Sequence, residues 1–165
     1  GMRMHHPDYL TRVRELCDAS GAFLIADEIA VGFGRTGTLF ASEQSGVMPD
    51  LLCLSKGLTG GFMPLAAVLA TQAIYDGFLD DSRERAFLHS HSYTGNPLAC
   101  AAALASLAVF RDDDILARNR TTARAMATLA ERGIAATRYH AGLTAEERER
   151  TQRVLETLLR ELEKK

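Results

Sequence analysis

Two short apolar runs, each ended by charged residues, constrain the fold of this 165-residue chain more than any other feature. Phe23-Leu24-Ile25-Ala26 ends at Asp27-Glu28, and Leu51 to Leu54 ends at Ser55-Lys56. Continuous apolar runs of this length are typical of central strands that are covered on both faces. Because helical patterns alternate with them along the chain, the sequence predicts an α/β layered domain with a mostly parallel sheet.

The remaining elements follow from apolar periodicity and from capping residues. Pro7 begins an apolar stripe that predicts a helix ending at Gly21. Asn96 and Pro97 are typical of a helix start and introduce an alanine-rich segment. The sequence therefore predicts a third strand over 65–71, a helix over 98–110, and a further helix from 112–114 to about 132.

The texture of the sequence changes near residue 132, which predicts two regions, 1–131 and 132–165, within one domain. Residues 134–140 are predicted to form a short strand, and Thr144-x-x-Glu147 is a capping box. The helix predicted over 144–164 carries one apolar stripe, formed by Val154, Leu155, Leu158, Leu159 and Leu162. Such a stripe would be exposed to water unless covered, so the tail is predicted to pack on the sheet.

Composition narrows the class of protein. The net charge of −2, with interspersed signs and no basic face, argues against a nucleic-acid-binding or membrane-surface protein. No apolar run reaches the about 18–20 residues of a membrane-spanning helix. The three cysteines are widely spaced and indicate neither a disulfide framework nor a Cys-x-x-Cys site. A cytoplasmic protein is therefore expected.

Three local motifs match known sites only in part. Residues 32–37 match G-x-G-x-x-G, the fingerprint of dinucleotide-binding sites. No second strand ends about 20 residues later in the acidic residue that would contact the ribose, so a flexible loop is favoured. Asp27-Glu28 after a strand imitates the magnesium site of nucleotide hydrolases, yet the chain has no phosphate loop. His89 and His91 would point the same way on an extended segment, but no third metal ligand is identifiable. Ordinary polar histidines near a helix start are favoured.

Asp27 and Lys56 form a more consistent pair. The carboxyl ends of neighbouring parallel strands share one edge, so both side chains are predicted to face one cleft. An amine and a carboxylate there suit a pyridoxal phosphate enzyme, in which the lysine forms a Schiff base and the carboxylate keeps the pyridinium nitrogen protonated. The glycines at 57, 60 and 61 would leave room for the cofactor. A capping aspartate and a lysine lying along apolar surface explain the pattern equally well.

Three longer segments carry a resemblance to a known family: DEIAVGFGRTG, PDLLCLSKGLTGG and HSYTGNPLACAAALASL. They closely resemble the class III pyridoxal-phosphate-dependent aminotransferases, in particular those of biotin synthesis, from residue 1 to about 130. The resemblance implies part of the large domain of a type I pyridoxal-phosphate-dependent transferase. It also implies amino-group transfer from a small-molecule amino donor to a keto acceptor, with the active site in a homodimer.

The resemblance also assigns residues. It makes Lys56 the Schiff-base lysine and Asp27 the partner of the pyridine nitrogen. Ser92 stands at the usual threonine of a turn that contacts the phosphate of the neighbouring subunit's cofactor. Members of the family are much longer and hold a Gly-Ser phosphate turn, a stacking aromatic residue and a substrate-binding arginine in segments that have no counterpart here. Weak or absent cofactor binding and little or no turnover are therefore expected.

Residues 133–152 carry a different resemblance, to the Tyr-His-Ala-Gly-Leu segment of RecQ-type helicases. It suggests a chimeric chain and keeps two alternatives open. One is a recombined or engineered scaffold without activity. The other is a nucleic-acid-binding module in the tail, whose arginines are offset by nearby glutamates.

Overall fold

The computed structural model describes residues 5–131, together with the single positions Glu146, Arg153, Thr157 and Arg160. Contacts divide the chain into two compact units, Gly1–Ile115 and Leu116–Lys165. The strand predicted over 134–140 lies outside the described residues, as does nearly all of the helix predicted over 144–164. The predicted division at 131/132 and the packing of the tail on the sheet accordingly stay predictions.

The first helix, α1, spans Pro7–Ser20, as predicted. The side chain of His6 caps its start by accepting the backbone N–H of Asp8, and Pro7 occupies the first turn, where its missing donor costs nothing. The helix ends at Gly21, which adopts the left-handed conformation with φ 70°. This geometry favours glycine and explains why the helix stops there.

Three strands form one sheet in the order β1 (Ile25–Asp27), β2 (Leu51–Leu54) and β3 (Ala67–Ala70). β1 and β2 run parallel, with Asp27 opposite Cys53, which confirms the predicted α/β class. β3 runs antiparallel to β2, so the described sheet is mixed rather than mostly parallel. The reason is the β2–β3 connection, which turns back through a 3-10 helix (Lys56–Thr59) instead of a crossover helix.

The other helices are α2 (Gln72–Asp76), α3 (Pro97–Asp112) and α4 (Ile115–Glu131). α3 begins as predicted, because the Asn96 side chain accepts the backbone N–H groups of the next helical turn. None of the helices in the described ranges is long and apolar enough to cross a membrane.

The hydrophobic core of the first unit joins the sheet, the 3-10 helix after β2 and α3. Its buried members are Phe33, Leu54, Leu58 and Ala103. Around them pack the partly buried side chains Leu39, Phe40, Leu52, Leu65, Ala67 and Phe110. Leu54 and Leu58 flank Lys56 in the chain, so the core anchors the segment that carries this lysine on both sides.

Candidate active site

Asp27 and Lys56 lie at the same edge of the sheet. Asp27 is the last residue of β1, and Lys56 follows the end of the parallel strand β2 by two residues. Both side chains are exposed. They form no ion pair with each other, and the described contacts include no ion pair to either group. The edge thus presents an amine and a carboxylate that do not neutralise one another.

The backbone two residues after Asp27 holds its carboxylate in place. The Oδ1 atom accepts the N–H of Ile29 at 3.0 Å. No other described hydrogen bond engages the Asp27 side chain, so the second carboxylate oxygen is free to accept a hydrogen bond from a ligand.

The turn that carries Lys56 is held by side-chain hydroxyls. Ser55 Oγ donates to the carbonyl of Leu65 at 2.6 Å, and the buried Thr59 hydroxyl donates to the carbonyl of Met63 at 2.6 Å. From α3, Ser106 Oγ donates to the Gly57 carbonyl at 3.2 Å. These bonds satisfy backbone acceptors that regular sheet and helix pairing leave open. Lys56 itself has φ 44°, a left-handed conformation uncommon outside glycine.

Glu28 has a role that the sequence analysis did not anticipate. It is only 2% exposed, and its two carboxylate oxygens accept the N–H groups of Ala41 at 2.7 Å and Ser42 at 2.8 Å. Those groups begin the 3-10 helix Ala41–Ser45, where a carboxylate is favoured by the exposed donors. Glu28 directly follows the last residue of β1, and the alternation of side chains along an extended segment was the available signal that Asp27 and Glu28 differ in environment.

The glycine-rich segment 32–37 is a loop of hydrogen-bonded turns, as the favoured interpretation predicted, and four of its residues are buried while Arg35 is exposed. Its flexibility stays a prediction. Gly32 donates to the Glu28 carbonyl at 2.9 Å, and Gly34 donates to the Leu39 carbonyl at 3.2 Å. Phe33, between these glycines, enters the core. Because only turns and a short 3-10 helix follow β1, the strand–turn–helix geometry of a dinucleotide site is not formed.

For Gly57, the expectation that glycines leave room for a cofactor is wrong. A Cβ atom built at this position would lie 2.7 Å from Phe33 Cβ, so the Phe33 side chain already fills the space. Gly60 and Gly61 have φ of 60° and 85°, and their backbone conformation accounts for glycine at both positions. A Cβ atom built at Gly61 would meet no atom within 4 Å outside its chain neighbours, so there is open space beside this glycine.

Ser92 lies in an exposed turn just before α3, and the described contacts do not join it to Asp27 or Lys56. The turn is closed by His91, whose backbone N–H donates to Thr94 Oγ1 and whose Nδ1 accepts the N–H of Tyr93, both at 3.1 Å. His91 therefore stabilises this turn through hydrogen bonds. The described part of the chain contains no group of three or more metal-ligating side chains.

The opposite end of β2 carries an ion pair. Asp50 immediately precedes the strand, and its Oδ2 atom accepts from Arg14 Nη1 and from the Leu24 N–H, both at 2.7 Å. The hydrogen bond from Arg14, followed by that from Leu24, lowers the pKa of Asp50 below its ordinary value. This pair joins α1 to the sheet and lies at the end of β2 remote from Lys56.

Comparison with known proteins places this geometry in a family. Residues 1–137 match the model of the family described as Aminotransferase class-III. The chain is 55% identical over 130 residues to the adenosylmethionine-8-amino-7-oxononanoate aminotransferase of Nitratidesulfovibrio vulgaris, covering 78% of this chain and 24% of that protein. It is also 55% identical over 119 residues to the enzyme of the same name from Geobacter sulfurreducens, covering 72% and 26%.

Solved structures agree. An aminotransferase from Bacillus anthracis aligns with a TM-score of 0.73 and 34% identity, over 85% of this chain and 30% of that one. A pyridoxal-phosphate-bound amine transaminase from an uncultivated Pseudomonas species aligns with a TM-score of 0.67 and 43% identity, over 76% and 28%.

The resemblance drawn from the three sequence segments is thus confirmed, whereas the helicase-like resemblance of 133–152 stays a prediction. The chain spans about a quarter of the length of the curated relatives it matches. Within that span, this chain belongs to the class III aminotransferase family.

Proposed function

We propose that these residues carry the catalytic lysine and the ring-binding aspartate of a pyridoxal-phosphate-dependent aminotransferase. The amino donor and acceptor proposed are those in the name of its 55% identical relatives, adenosylmethionine and 8-amino-7-oxononanoate. One observation carries the proposal. Asp27 ends β1, Lys56 lies two residues beyond the end of the neighbouring parallel strand β2, and the two side chains form no ion pair.

The site residues fit the cofactor in their chemistry. When bound, pyridoxal phosphate supplies an aldehyde that takes up the amino group and a ring that accepts electrons. Lys56 Nζ is the nucleophile that would hold the aldehyde carbon and later move a proton as general acid and base. The free Asp27 carboxylate oxygen would hold the proton on the ring nitrogen.

Ser92 is proposed to contact the cofactor's phosphate across a homodimer interface. Two observations support this role: the turn is exposed, and the described contacts do not connect it with Lys56 of the same chain. A hydroxyl donor is suited to a phosphate oxygen. The dimer and a cytoplasmic location are parts of the same proposal.

Attachment of the cofactor is expected to be weak, and turnover slight, in a polypeptide limited to these 165 residues. The curated relatives are about three times as long as this chain, since 130 aligned residues make up only 24% of one of them, and positioning of both substrates draws on the whole site. An inactive scaffold is the competing interpretation, and it predicts that Lys56 behaves like any surface lysine.

Reductive labelling separates the two interpretations. The chain has three lysines, Lys56, Lys164 and Lys165, so borohydride reduction with pyridoxal phosphate followed by peptide mapping gives the share of label on each. We expect Lys56 to be labelled preferentially and Lys56→Ala to remove that label, while Lys164→Ala leaves it unchanged. Labelling confined to the two terminal lysines would establish the scaffold interpretation.

A second pair of variants tests the aspartate. Asp27→Asn keeps the shape of the side chain but removes the charge that retains a proton on the ring nitrogen. We expect Asp27→Asn to reduce labelling of Lys56, whereas Asp81→Asn, at an exposed position, should leave the labelling unchanged. Equal labelling in both variants would remove Asp27 from the proposed site.

A further inference from the structure

In the described ranges, two residues other than glycine have positive φ: Phe33, at 57°, and Lys56, at 44°. The left-handed conformation is disfavoured for residues with a Cβ atom, because that atom crowds the following carbonyl oxygen. Such conformations persist only where the surrounding structure imposes them. We therefore expect a contact in the structure that holds Lys56, the proposed catalytic lysine, at positive φ.

That contact is between Phe33 and Gly57, the residue after Lys56. The Cβ and ring atoms of Phe33 approach Gly57 so closely that an added methyl would lie 2.7–2.8 Å from three of them. Phe33 is 8% exposed, and the rings of Phe40 and Phe110 lie 5.8 and 6.2 Å from its ring centroid. The Phe33 ring thus cannot leave Gly57 without opening the core.

The segment that delivers Phe33 is fixed at both ends. The Glu28 carbonyl accepts the N–H of Gly32, and the Glu28 carboxylate binds the N–H groups of Ala41 and Ser42. On the other side, Ser106 holds the Gly57 carbonyl. Gly57, between Lys56 and Leu58, is consequently contacted by Phe33 on one side and by Ser106 of α3 on the other.

We propose that Phe33 is a positioning residue for Lys56. Its ring, packed on Gly57, keeps Lys56 at positive φ and so sets where the Nζ amine stands at the edge of the sheet. The significance of this positioning for chemistry rests on the proposed function, whereas the backbone effect does not. Ordinary core packing by Phe33 would stabilise the fold without controlling the conformation of Lys56.

Backbone NMR tests the proposal without cofactor, because the Cα and Cβ chemical shifts of Lys56 report its φ. Phe33→Ala removes the ring, and Phe33→Leu keeps part of its volume. Leu24→Ala truncates a buried side chain that does not belong to the hydrophobic core around Phe33. We expect the Lys56 shifts to move from positive-φ values towards ordinary ones in Phe33→Ala, partly in Phe33→Leu, and not in Leu24→Ala. If Phe33→Ala does not fold, the comparison of Phe33→Leu with Leu24→Ala decides.

Labelling by pyridoxal phosphate and borohydride gives the second readout. We expect the share of label on Lys56 to fall about tenfold in Phe33→Ala relative to Leu24→Ala, as displacement of a positioned group costs reactivity. Lys56 shifts that respond equally to Phe33→Leu and Leu24→Ala would overturn the positioning role, even if Lys56 is labelled preferentially. Shifts that depend on Phe33 in a chain whose Lys56 is not preferentially labelled would uphold it while refuting the proposed function.

Discussion

Replacement of Gly57 by alanine should destabilise the chain through one methyl group. Gly57 lies in a 3-10 helix and does not have positive φ, so its backbone accepts alanine. By itself the change would stabilise the fold by about 0.4–1 kcal/mol, because alanine restricts the unfolded chain. The new methyl, however, would stand 2.7 Å from Phe33 Cβ and Cδ2. Favourable carbon–carbon contacts need about 3.5–4.0 Å.

The buried Phe33 side chain must therefore shift, and overpacking of this kind costs about 1–3 kcal/mol. The net expectation is a loss of about 1–2 kcal/mol in the free energy of unfolding. For a chain of this size the melting temperature should fall by about 2–8 °C.

Urea unfolding, followed by circular dichroism, measures this loss in two backgrounds. With Phe33→Ala the obstructing ring is absent, so Gly57→Ala should become neutral or stabilise by about 0.4–1 kcal/mol. The two substitutions should accordingly show a coupling energy of about 2 kcal/mol. An equal loss in both backgrounds, or a gain in the parent chain, would refute the reasoning.

Three further predictions concern individual hydrogen bonds, and a fourth concerns activity. Glu28→Ala leaves the partly buried N–H of Ala41 and the buried N–H of Ser42 without an acceptor and should lower the free energy of unfolding in urea by about 2–4 kcal/mol, while Glu28→Gln, which keeps one acceptor, should lower it less. The pKa of Asp50 is depressed by Arg14, so the stability from this pair is complete above the ordinary pKa of 3.8 and is lost as pH falls through the lower folded-state pKa. Asp50→Asn should therefore flatten the acid limb of a stability–pH profile, and an unchanged limb would contradict this assignment. Asn96→Ala should cost about 1 kcal/mol by removing the cap of α3, and Asn96→Asp should restore most of it. Steady conversion of 8-amino-7-oxononanoate by the 165-residue polypeptide, at about 1 s⁻¹ or faster, would contradict the expected lack of turnover.

The sequence predicted those parts of the fold that local signals control. Pro7 and Gly21 bracket α1, and Asn96 caps α3, because caps act within one helical turn. The run Leu51–Leu54 matched β2 residue for residue. The opposite direction of β3 was not predicted, because a short apolar strand reads the same in either orientation and only the geometry of its connection decides.

Of the candidate site, the sequence predicted the location of Asp27 and Lys56, while their roles in cofactor binding stay a proposal. Asp27 and Lys56 were placed at one edge, since parallel neighbours share their carboxyl ends. The reason for Gly57 was missed because it depends on Phe33, more than 20 residues earlier in the chain. Such non-local contacts leave no periodic pattern in one sequence, and the G-x-G-x-x-G segment around Phe33 was interpreted only as a flexible loop.

Because Asp27 and Glu28 lie in different environments, we expect selection for folding and selection for cofactor binding to act on different members of this adjacent pair. Asp27 is exposed at the edge of the sheet, whereas Glu28 is buried against the start of a 3-10 helix. In a library randomised at both positions, we expect substitutions of Asp27 to survive a screen for soluble expression and to be lost only under selection for cofactor capture. Substitutions of Glu28 should already be depleted in the expression screen. The two neighbouring acidic residues should therefore respond to different screens, Glu28 to folding and Asp27 to cofactor binding.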